Sequence, residues 1–250
     1  MKKNSKIILI ALSSLVGLAC FCTNVGVLPG APTFAITPAP PEHLTALAST
    51  SESNSPTTGT AILQDDFSTD TGNLENYKDE NGVIGVTDGV YSIQNFADKW
   101  MWGRITLPST GAVSDSILAV DTKQISGPAD NNTGYGVICR LNHDDTSGLD
   151  GYVFAVSADG FASIQVVNDN QFTALVDWTA SDSVNTGSTD NHLVASCIGN
   201  KLTFEVNGTV VAEATDSTHT TGDAGFAAVS FNDVSRNLQV DFDNLLISKP

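Results

Sequence analysis

The stretch HLVASCIGNKLTFEVNGTVVAEA, from residue 192 to residue 214, decides the fold class. Apolar and polar residues alternate along it, and two dipeptides, Gly199-Asn200 and Asn207-Gly208, interrupt the alternation. Alternation with a period of two is typical of a β-strand with one buried face, and such dipeptides tolerate the positive φ angles of tight hairpin turns. The stretch therefore predicts three short antiparallel strands.

The same alternation recurs throughout residues 61–250. Three further sets of alternating apolar residues are Val137, Cys139 and Leu141; Tyr152, Phe154 and Val156; and Leu238, Val240 and Phe242. No amphipathic stretch of helical period extends beyond about two turns, and no internal repeat is visible. About twelve short strands at this spacing are typical of a two-sheet β fold. We therefore expect an all-β chain with an antiparallel jelly-roll β-sandwich in residues 61–250.

Residues 1–20 have the layout of a signal segment. Three lysines within the first six residues precede an apolar run that is short for a membrane-spanning helix. The sequence Gly17-Leu18-Ala19-Cys20 is similar to a bacterial lipoprotein cleavage box, which predicts Cys20 as a lipidation site. Cleavage after Thr33-Phe34-Ala35 and an uncleaved anchor are the alternatives. Each of the three predicts a domain outside the cytoplasm, either lipid-anchored at the cell envelope or secreted.

Residues 21–60 are rich in proline, serine and threonine and show no apolar periodicity. Such a segment buries too little apolar surface to offset the entropy lost on ordering it. We expect a disordered tether between the signal segment and the domain.

The charge of the chain restricts its partners. It carries 28 acidic and 11 basic residues, for a formal net charge of −17. A surface this acidic repels phosphate backbones and anionic lipid surfaces. We therefore expect no nucleic-acid partner, and contact with a membrane only through an N-terminal lipid or the signal segment.

Cys139 and Cys197 both lie on predicted apolar strand faces. An exported protein folds in an oxidising environment, where such a pair favours a disulfide. Two buried free thiols are the alternative.

Eight short motifs follow one another along the domain. They are Asp66-Phe67-Ser68, Asp88-Gly89-Val90-Tyr91-Ser92-Ile93, Tyr135-Gly136-Val137-Ile138-Cys139-Arg140, Tyr152-Val153-Phe154, Cys197-Ile198-Gly199-Asn200, Val206-Asn207-Gly208, Thr221-Gly222-Asp223-Ala224-Gly225 and Val240-Asp241-Phe242-Asp243-Asn244. In this order they resemble the concanavalin A-like lectin/glucanase superfamily, in particular the laminin-G-like or family 16-like jelly-roll domains of bacterial lipoproteins. The resemblance implies two packed antiparallel sheets, one of them concave. It also implies carbohydrate binding on the concave face and, in some relatives, structural calcium.

Catalytic signatures are missing from the sequence. The glucanase branch of the superfamily carries a Glu-x-Asp-x-Glu strand, and retaining hydrolysis needs two carboxyl groups about 5–5.5 Å apart. The four glutamates of the domain form no such triplet, and the chain has no HExxH or Gly-x-Ser-x-Gly motif. We therefore predict no catalytic residue, and we retain a carbohydrate-active hydrolase only as an alternative.

A sugar site requires aromatic rings beside hydrogen-bonding groups. In Lys99-Trp100-Met101-Trp102-Gly103-Arg104, alternation places both tryptophans on one face, which is either part of the core or part of a groove. The candidate carbohydrate ligands are Trp100, Trp102, Arg104, Tyr135, Arg140 and Asn142. The leading expectation is a non-catalytic module that binds a carbohydrate or another extracellular polymer. A structural or protein-interaction domain of the cell envelope, without a sugar site, is the main alternative.

Calcium is the candidate cofactor. It takes six to eight oxygen ligands, largely carboxylates and carbonyls. Asp65 and Asp66 begin the domain, and Asp241 and Asp243 lie near its end. The terminal strands of jelly rolls of this kind lie side by side, so these four aspartates are a candidate set of ligands for a structural calcium ion. Solvated carboxylates at an acidic rim are the alternative.

Overall fold

The computed structural model describes residues 59–107, 111–130, 132–143, 148–231 and 237–250. These residues contain fifteen β-strands and no α-helix. The strands are β1 (Thr60–Asp65), β2 (Tyr77–Lys78), β3 (Gly82–Thr87), β4 (Val90–Asn95), β5 (Trp100–Ile105), β6 (Ser116–Ser126), β7 (Thr133–Asn142), β8 (Asp150–Val156), β9 (Phe161–Asn168), β10 (Gln171–Ala180), β11 (Asn191–Ile198), β12 (Lys201–Val206), β13 (Thr209–Thr215), β14 (Asp223–Ser230) and β15 (Leu238–Lys249). The expected signal segment, lipidation site Cys20 and most of the tether lie outside the described residues. Within the described part of the chain, no helix is long and apolar enough to cross a membrane.

The strands form two antiparallel sheets. Sheet A has nine strands in the order β13-β12-β11-β6-β15-β4-β3-β2, and β1 pairs with the end of β15. Sheet B has six strands in the order β10-β9-β8-β7-β14-β5. The two sheets pack face to face, which confirms the predicted all-β, antiparallel jelly-roll sandwich.

The main core lies between the sheets and contains the residues that the alternation predicts. Phe154 of β8 meets Phe204 of β12 edge to face, with ring centroids 5.7 Å apart. Phe226 of β14 stacks on Phe242 of β15 at 4.4 Å. All four side chains are fully buried. Each Å² of buried apolar surface contributes about 25 cal/mol, so these four large rings are among the main contributors to the stability of the sandwich.

One prediction about the core is wrong in detail. Val137 and Cys139 face the main core, but Leu141 belongs to a second apolar cluster on the opposite face of sheet B. The register between β7 and β8 shifts between Cys139 and Asn142, and Arg140 has a φ angle of 53°. Because side chains on a strand alternate, an irregularity of this kind moves every later residue to the other face.

The disulfide between Cys139 and Cys197 is confirmed. Cys139 lies on β7 of sheet B and Cys197 on β11 of sheet A, and both residues are fully buried. The bond therefore joins the two sheets covalently through the core.

Sheet B is strongly curled. Trp100 lies on edge strand β5 and Phe172 on the opposite edge strand β10, yet their rings stack with centroids 4.9 Å apart. In a flat six-stranded sheet, backbones at the two edges would lie roughly 24 Å apart, beyond the reach of two side chains. The face of sheet B that points away from sheet A is therefore concave, as the superfamily resemblance implied.

Candidate functional site

Strand β5 places three of the predicted site residues on the concave face. Met101 and Ile105 point into the main core, so Trp100, Trp102 and Arg104 point the other way. All three are partly buried. The sequence left open whether the tryptophans are core or groove residues, and the structure gives them both roles.

The floor of the concave face is apolar and covered. Seven side chains of the floor are at most 1% exposed: Ile138, Leu141, Leu149, Val153, Ala155, Val167 and Ala227. Trp100, Trp102, Phe172 and Trp178 pack over them. Trp178 comes so close to β7 that a Cβ atom on Gly134 would lie 3.0 Å from its indole. Aromatic rings therefore fill the part of the concave face where a long open trough would lie.

A cavity of about 540 Å³ opens beside this aromatic cover. Four separate segments contribute to its walls, and we call it the aromatic cavity. Its principal residues are Tyr77, Asp79, Lys99, Trp102, His143 and Phe172. A concave site with apolar walls and a few polar groups is the usual form of a small-ligand site.

The aromatic walls hold one another in place. Trp100 and Phe172 are stacked with an interplanar angle of 7°, and Trp102 meets the His143 ring edge to face at 4.7 Å. Contacts of this geometry add about 0.5–1.5 kcal/mol to the burial of the rings. The ring faces that remain in the cavity are therefore held rigidly before any ligand arrives.

Arg104 supports the wall from outside the cavity. Its Nη2 atom donates a hydrogen bond to the backbone oxygen of His143 at 2.6 Å, and its Nε atom lies 3.8 Å from the Asp223 carboxylate. The guanidinium is thus held by one hydrogen bond and one ion pair, while Nε is buried and makes no hydrogen bond within the described residues. Arg104 positions His143 and does not line the cavity, in contrast to the direct ligand contact that we expected from the sequence.

The polar groups of the cavity differ in how far the protein uses them. Asp79 accepts hydrogen bonds from Asn81 and from the Gly82 amide, and the Asn81 side chain and backbone bonds lower its pKa. By contrast, Lys99 has no ion pair among the described residues, and His143 Nδ1 is buried without a hydrogen-bond partner there. The Lys99 ammonium therefore remains available to a ligand, whereas His143 Nδ1 is closed off from solvent.

Tyr77 is neutral throughout the physiological range. Burial and the Glu75 and Asp79 carboxylates raise its pKa to about 12. Its hydroxyl donates a hydrogen bond to the backbone oxygen of Trp102 at 3.4 Å, which ties the edge of sheet A to β5. Tyr77 thereby helps to hold Trp102 in the wall of the aromatic cavity.

Three other predicted ligands do not lie at this cavity. Tyr135 is fully buried in the main core because its place in the alternation of β7 points inward. Arg140 is 2% exposed, and its guanidinium donates to the backbone oxygens of Ser114, His219 and Gly199. Asn142 is exposed at the end of β7, and its side-chain amide donates to the backbone oxygens of Arg140 and Thr221. All three are structural residues in this arrangement.

The four aspartates of the expected calcium site are not brought together. Strands β1 and β15 are neighbours, as predicted, but the Asp65 carboxylate accepts hydrogen bonds from the Phe67 amide and the Thr71 hydroxyl. Asp66 accepts the Ser68 amide. Asp241 and Asp243 line a separate cavity on sheet A. Among the described residues, no group of three or more acidic, histidine or cysteine side chains has an arrangement that could hold a metal ion.

Sequence reasoning missed most of the cavity. It singled out Trp100 and Trp102 as candidate carbohydrate ligands, but it gave no role to Tyr77, Asp79 or Lys99. These residues carry no motif. They become neighbours only because the curl of sheet B and the β2–β3 edge of sheet A bring distant segments together.

The Asp223–Arg104 pair gives a pH-dependent prediction. Burial raises the pKa of Asp223, and Arg104 offsets part of that rise. The pKa of Asp223 is therefore higher in the folded protein than in the unfolded chain. The neutral Asp223 carboxyl stabilises the fold fully below the unfolded-state pKa, and this stabilisation is lost as the pH rises through the folded-state pKa. Asp223→Asn should therefore raise the free energy of unfolding at pH 7, by less than about 1 kcal/mol for this partly exposed group, and leave it unchanged near pH 3. Urea unfolding at the two pH values measures this difference. A larger gain at pH 3 would contradict it.

No protein-family model matches the chain, and no curated protein matches it. Solved structures do match. The β-glucanase of Bacillus licheniformis is 10% identical with a TM-score of 0.53, and the match covers 77% of this chain and all of that one. A Bacillus subtilis protein of unknown function with a galectin-like fold is 11% identical with a TM-score of 0.53, covering 76% and 96% of the two chains. The CBM2 module of the evolved Dit protein of Lactobacillus casei phage J-1 is 14% identical with a TM-score of 0.50, covering 76% and 95%. These similarities confirm the jelly-roll fold.

Proposed function

We propose that the domain is a non-catalytic, extracytoplasmic module that binds a carbohydrate in the aromatic cavity. The observation that carries this proposal is the cavity itself, in which rigid ring faces stand beside Asp79 and the Lys99 ammonium, which forms no ion pair within the described residues. A sugar ring presents C–H groups on its faces and hydroxyl groups at its rim. It can therefore pack on the indole and phenyl rings while its hydroxyls bond to the polar groups.

Binding without catalysis fits the carboxylates near the cavity. Asp79 is the one acidic side chain among the described residues that line it, and its own turn supplies hydrogen bonds to both of its oxygens. Glycoside hydrolysis ordinarily uses two carboxyl groups on either side of the scissile bond. This geometry therefore favours binding over hydrolysis. The fold does not decide between them, because both a β-glucanase and a CBM2 module have folds similar to this one.

The proposed location rests on two features. The Cys139–Cys197 disulfide is typical of proteins that fold in an oxidising compartment. The signal-like residues 1–20, with Cys20 as the proposed lipidation site, would export the domain and hold it at the cell envelope on the 21–60 tether.

The experiment is a glycan-array screen of the intact protein, followed by titration of the strongest ligand against two variants. Trp102→Ala should weaken binding by at least about tenfold, which corresponds to about 1.4 kcal/mol, because it removes a ring from the cavity wall. Trp178→Ala is the matched control: it removes an indole from the same aromatic cover but not from the cavity. Circular dichroism establishes that both variants are folded.

Equal weakening by the two variants would contradict the proposed site. Failure of the wild-type protein to bind any glycan would contradict the function. That failure would favour a second candidate function, a protein-interaction domain of the envelope. The second candidate is supported by the aromatic rings that fill the concave face, because they leave no long trough for a polysaccharide.

A further inference from the structure

Two opposite charges stand beside the rings of the aromatic cavity. The rings are those of Tyr77 on β2, Trp100 and Trp102 on β5, and Phe172 on β10. The charges are those of Asp79 and Lys99. A neutral sugar packs on the rings but neutralises neither charge, so the two charges narrow the class of ligand that fits the cavity best.

Asp79 and Lys99 interact through space without forming an ion pair. Hydrogen bonds from Asn81 lower the pKa of Asp79, and the positive charge of Lys99 adds to that lowering. The two side chains nevertheless form no ion pair with each other. A ligand that carries both a cation and an anion can therefore place each one beside its opposite charge.

The hydrogen bonds of Asp79 restrict the kind of cation. One carboxylate oxygen accepts the backbone amides of Asn81 and Gly82, and the other accepts the Asn81 side-chain amide. These three bonds use most of the acceptor capacity of the carboxylate. A primary ammonium needs an acceptor for each of its three N–H groups when it leaves water, whereas a quaternary ammonium has no N–H group. The negative charge of Asp79 therefore suits a quaternary ammonium better.

The aromatic walls favour the same cation. A cation over the face of a tryptophan, tyrosine or phenylalanine ring is attracted by the electron density of the ring, and quaternary ammonium groups are often recognised in this way. The walls are held in place before a ligand arrives, since Trp100 stacks on Phe172 and the Tyr77 hydroxyl bonds to the backbone of Trp102. The formal net charge of −17 also attracts cations to the protein.

The anion of the ligand belongs beside Lys99. This side chain is exposed where it lines the cavity, so its ammonium can meet a group that projects from the cavity toward solvent. A lysine ammonium binds phosphate as a compact point charge.

We propose that the aromatic cavity recognises a phosphocholine group. The trimethylammonium end lies against the rings of Tyr77 and Trp102 beside Asp79, and the phosphate pairs with Lys99. This inference rests on the proposed function in using the same cavity, and it names the substituent that a bound glycan carries.

The test is isothermal titration of the intact protein at 0.15 M salt, roughly the ionic strength at which long-range charge effects are screened beyond about 8 Å. The two probes are glycerophosphocholine and glycerophosphoethanolamine, which carry the same charges but a quaternary and a primary ammonium, respectively. Glycerophosphocholine should bind, and glycerophosphoethanolamine should bind at least about tenfold more weakly because its N–H groups lack acceptors.

Three variants and two matched controls test the assignment of each group. Trp102→Leu keeps an apolar wall but removes the ring, and it should weaken glycerophosphocholine binding by about tenfold or more. Asp79→Asn and Lys99→Gln should each weaken it by about threefold, the scale of an exposed charge pair. Asp88→Asn and Lys78→Gln remove the same charges from exposed positions that do not line the cavity, and each should change binding by less than about 1.5-fold. Thermal unfolding establishes that all five variants are folded.

Sedimentation with phosphatidylcholine vesicles distinguishes the two sources of the group. Pelleting that Trp102→Leu abolishes would place the phosphocholine on a lipid, and binding of glycerophosphocholine without such pelleting would place it on a glycan. Equal binding of the two probes, or controls that weaken binding as much as Asp79→Asn and Lys99→Gln, would overturn the inference.

The inference and the proposed function can fail separately. If a glycan from the array binds and glycerophosphocholine does not, the phosphocholine site is overturned and carbohydrate binding stands. If glycerophosphocholine binds in a Trp102-dependent way and no glycan binds, the phosphocholine site stands and carbohydrate binding is overturned.

Discussion

Replacing Cys139 and Cys197 together with alanine is expected to lower the free energy of unfolding by about 4 kcal/mol. The disulfide spans 58 positions of sequence, and in the chain-entropy model a loop of this length restricts the unfolded chain by about that amount. The bond also crosses the core between the sheets, so its loss leaves two small side chains where two bonded sulfur atoms were packed. A stable domain has only about 5–15 kcal/mol in total, so the double variant should be close to unfolding at 37 °C.

Guanidinium unfolding followed by circular dichroism measures this change. The wild-type protein in excess reductant should show a similar loss, and adding reductant to the double variant should change nothing further. A loss below about 1 kcal/mol would mean that this disulfide contributes little to stability.

Arg140→Leu is expected to cost about 3 kcal/mol or more. The Arg140 guanidinium is buried and donates to three backbone oxygens, those of Ser114, His219 and Gly199. These oxygens belong to three separate loops at one end of the sandwich. Replacing the donor leaves buried acceptors unsatisfied, at about 1–3 kcal/mol each, and leaves Asp115 without its cation.

Arg140→Lys should lie between the wild-type protein and the leucine variant, because an ammonium keeps the charge but cannot reach three carbonyls with the fixed geometry of a guanidinium. Lys201→Met is the control, since the ion pair of Lys201 with Glu213 is exposed and is worth little. Thermal unfolding ranks the four proteins. Equal melting temperatures for Arg140→Leu and Lys201→Met would show that Arg140 does not hold the loops together.

The fold was predictable because its determinants are local. Alternation and turn dipeptides specify strands at Leu202, Phe204 and Val206, and the Asn207-Gly208 turn has the expected positive φ angles of 51° and 81°. The disulfide followed from two cysteines on apolar strand faces in a chain whose N-terminus has the layout of a signal segment.

Face assignment was harder, because the central strands of sheet B are buried on both sides. Strand β8 is buried over six of its seven residues, and alternation cannot distinguish the two faces of such a strand. The burial of Trp100 and Trp102 could not be decided either, because both faces of sheet B carry apolar side chains and alternation does not show which face holds the tryptophans. Arg140 was mistaken for a surface ligand because a charged side chain is rarely buried, and only a backbone irregularity turns it inward.

The four aspartates considered as calcium ligands are not brought together at the level of side chains. The adjacency of β1 and β15 was correct, but the hydrogen bonds of Asp65 to its own turn depend on local geometry that the sequence pattern does not contain. The aromatic cavity depends in the same way on tertiary structure, since Tyr77, Lys99, His143 and Phe172 come from four separated segments.

The most direct test of carbohydrate binding in the aromatic cavity uses the three indole N–H signals of the protein in two-dimensional NMR. Single Trp→Phe variants assign the signals of Trp100, Trp102 and Trp178, and the strongest glycan from the array is then titrated to saturation. Carbohydrate binding in the cavity predicts that the Trp100 and Trp102 signals move along the binding curve while the Trp178 signal stays in place. A saturating glycan that shifts Trp178 alone, or that leaves all three signals unmoved, would contradict it.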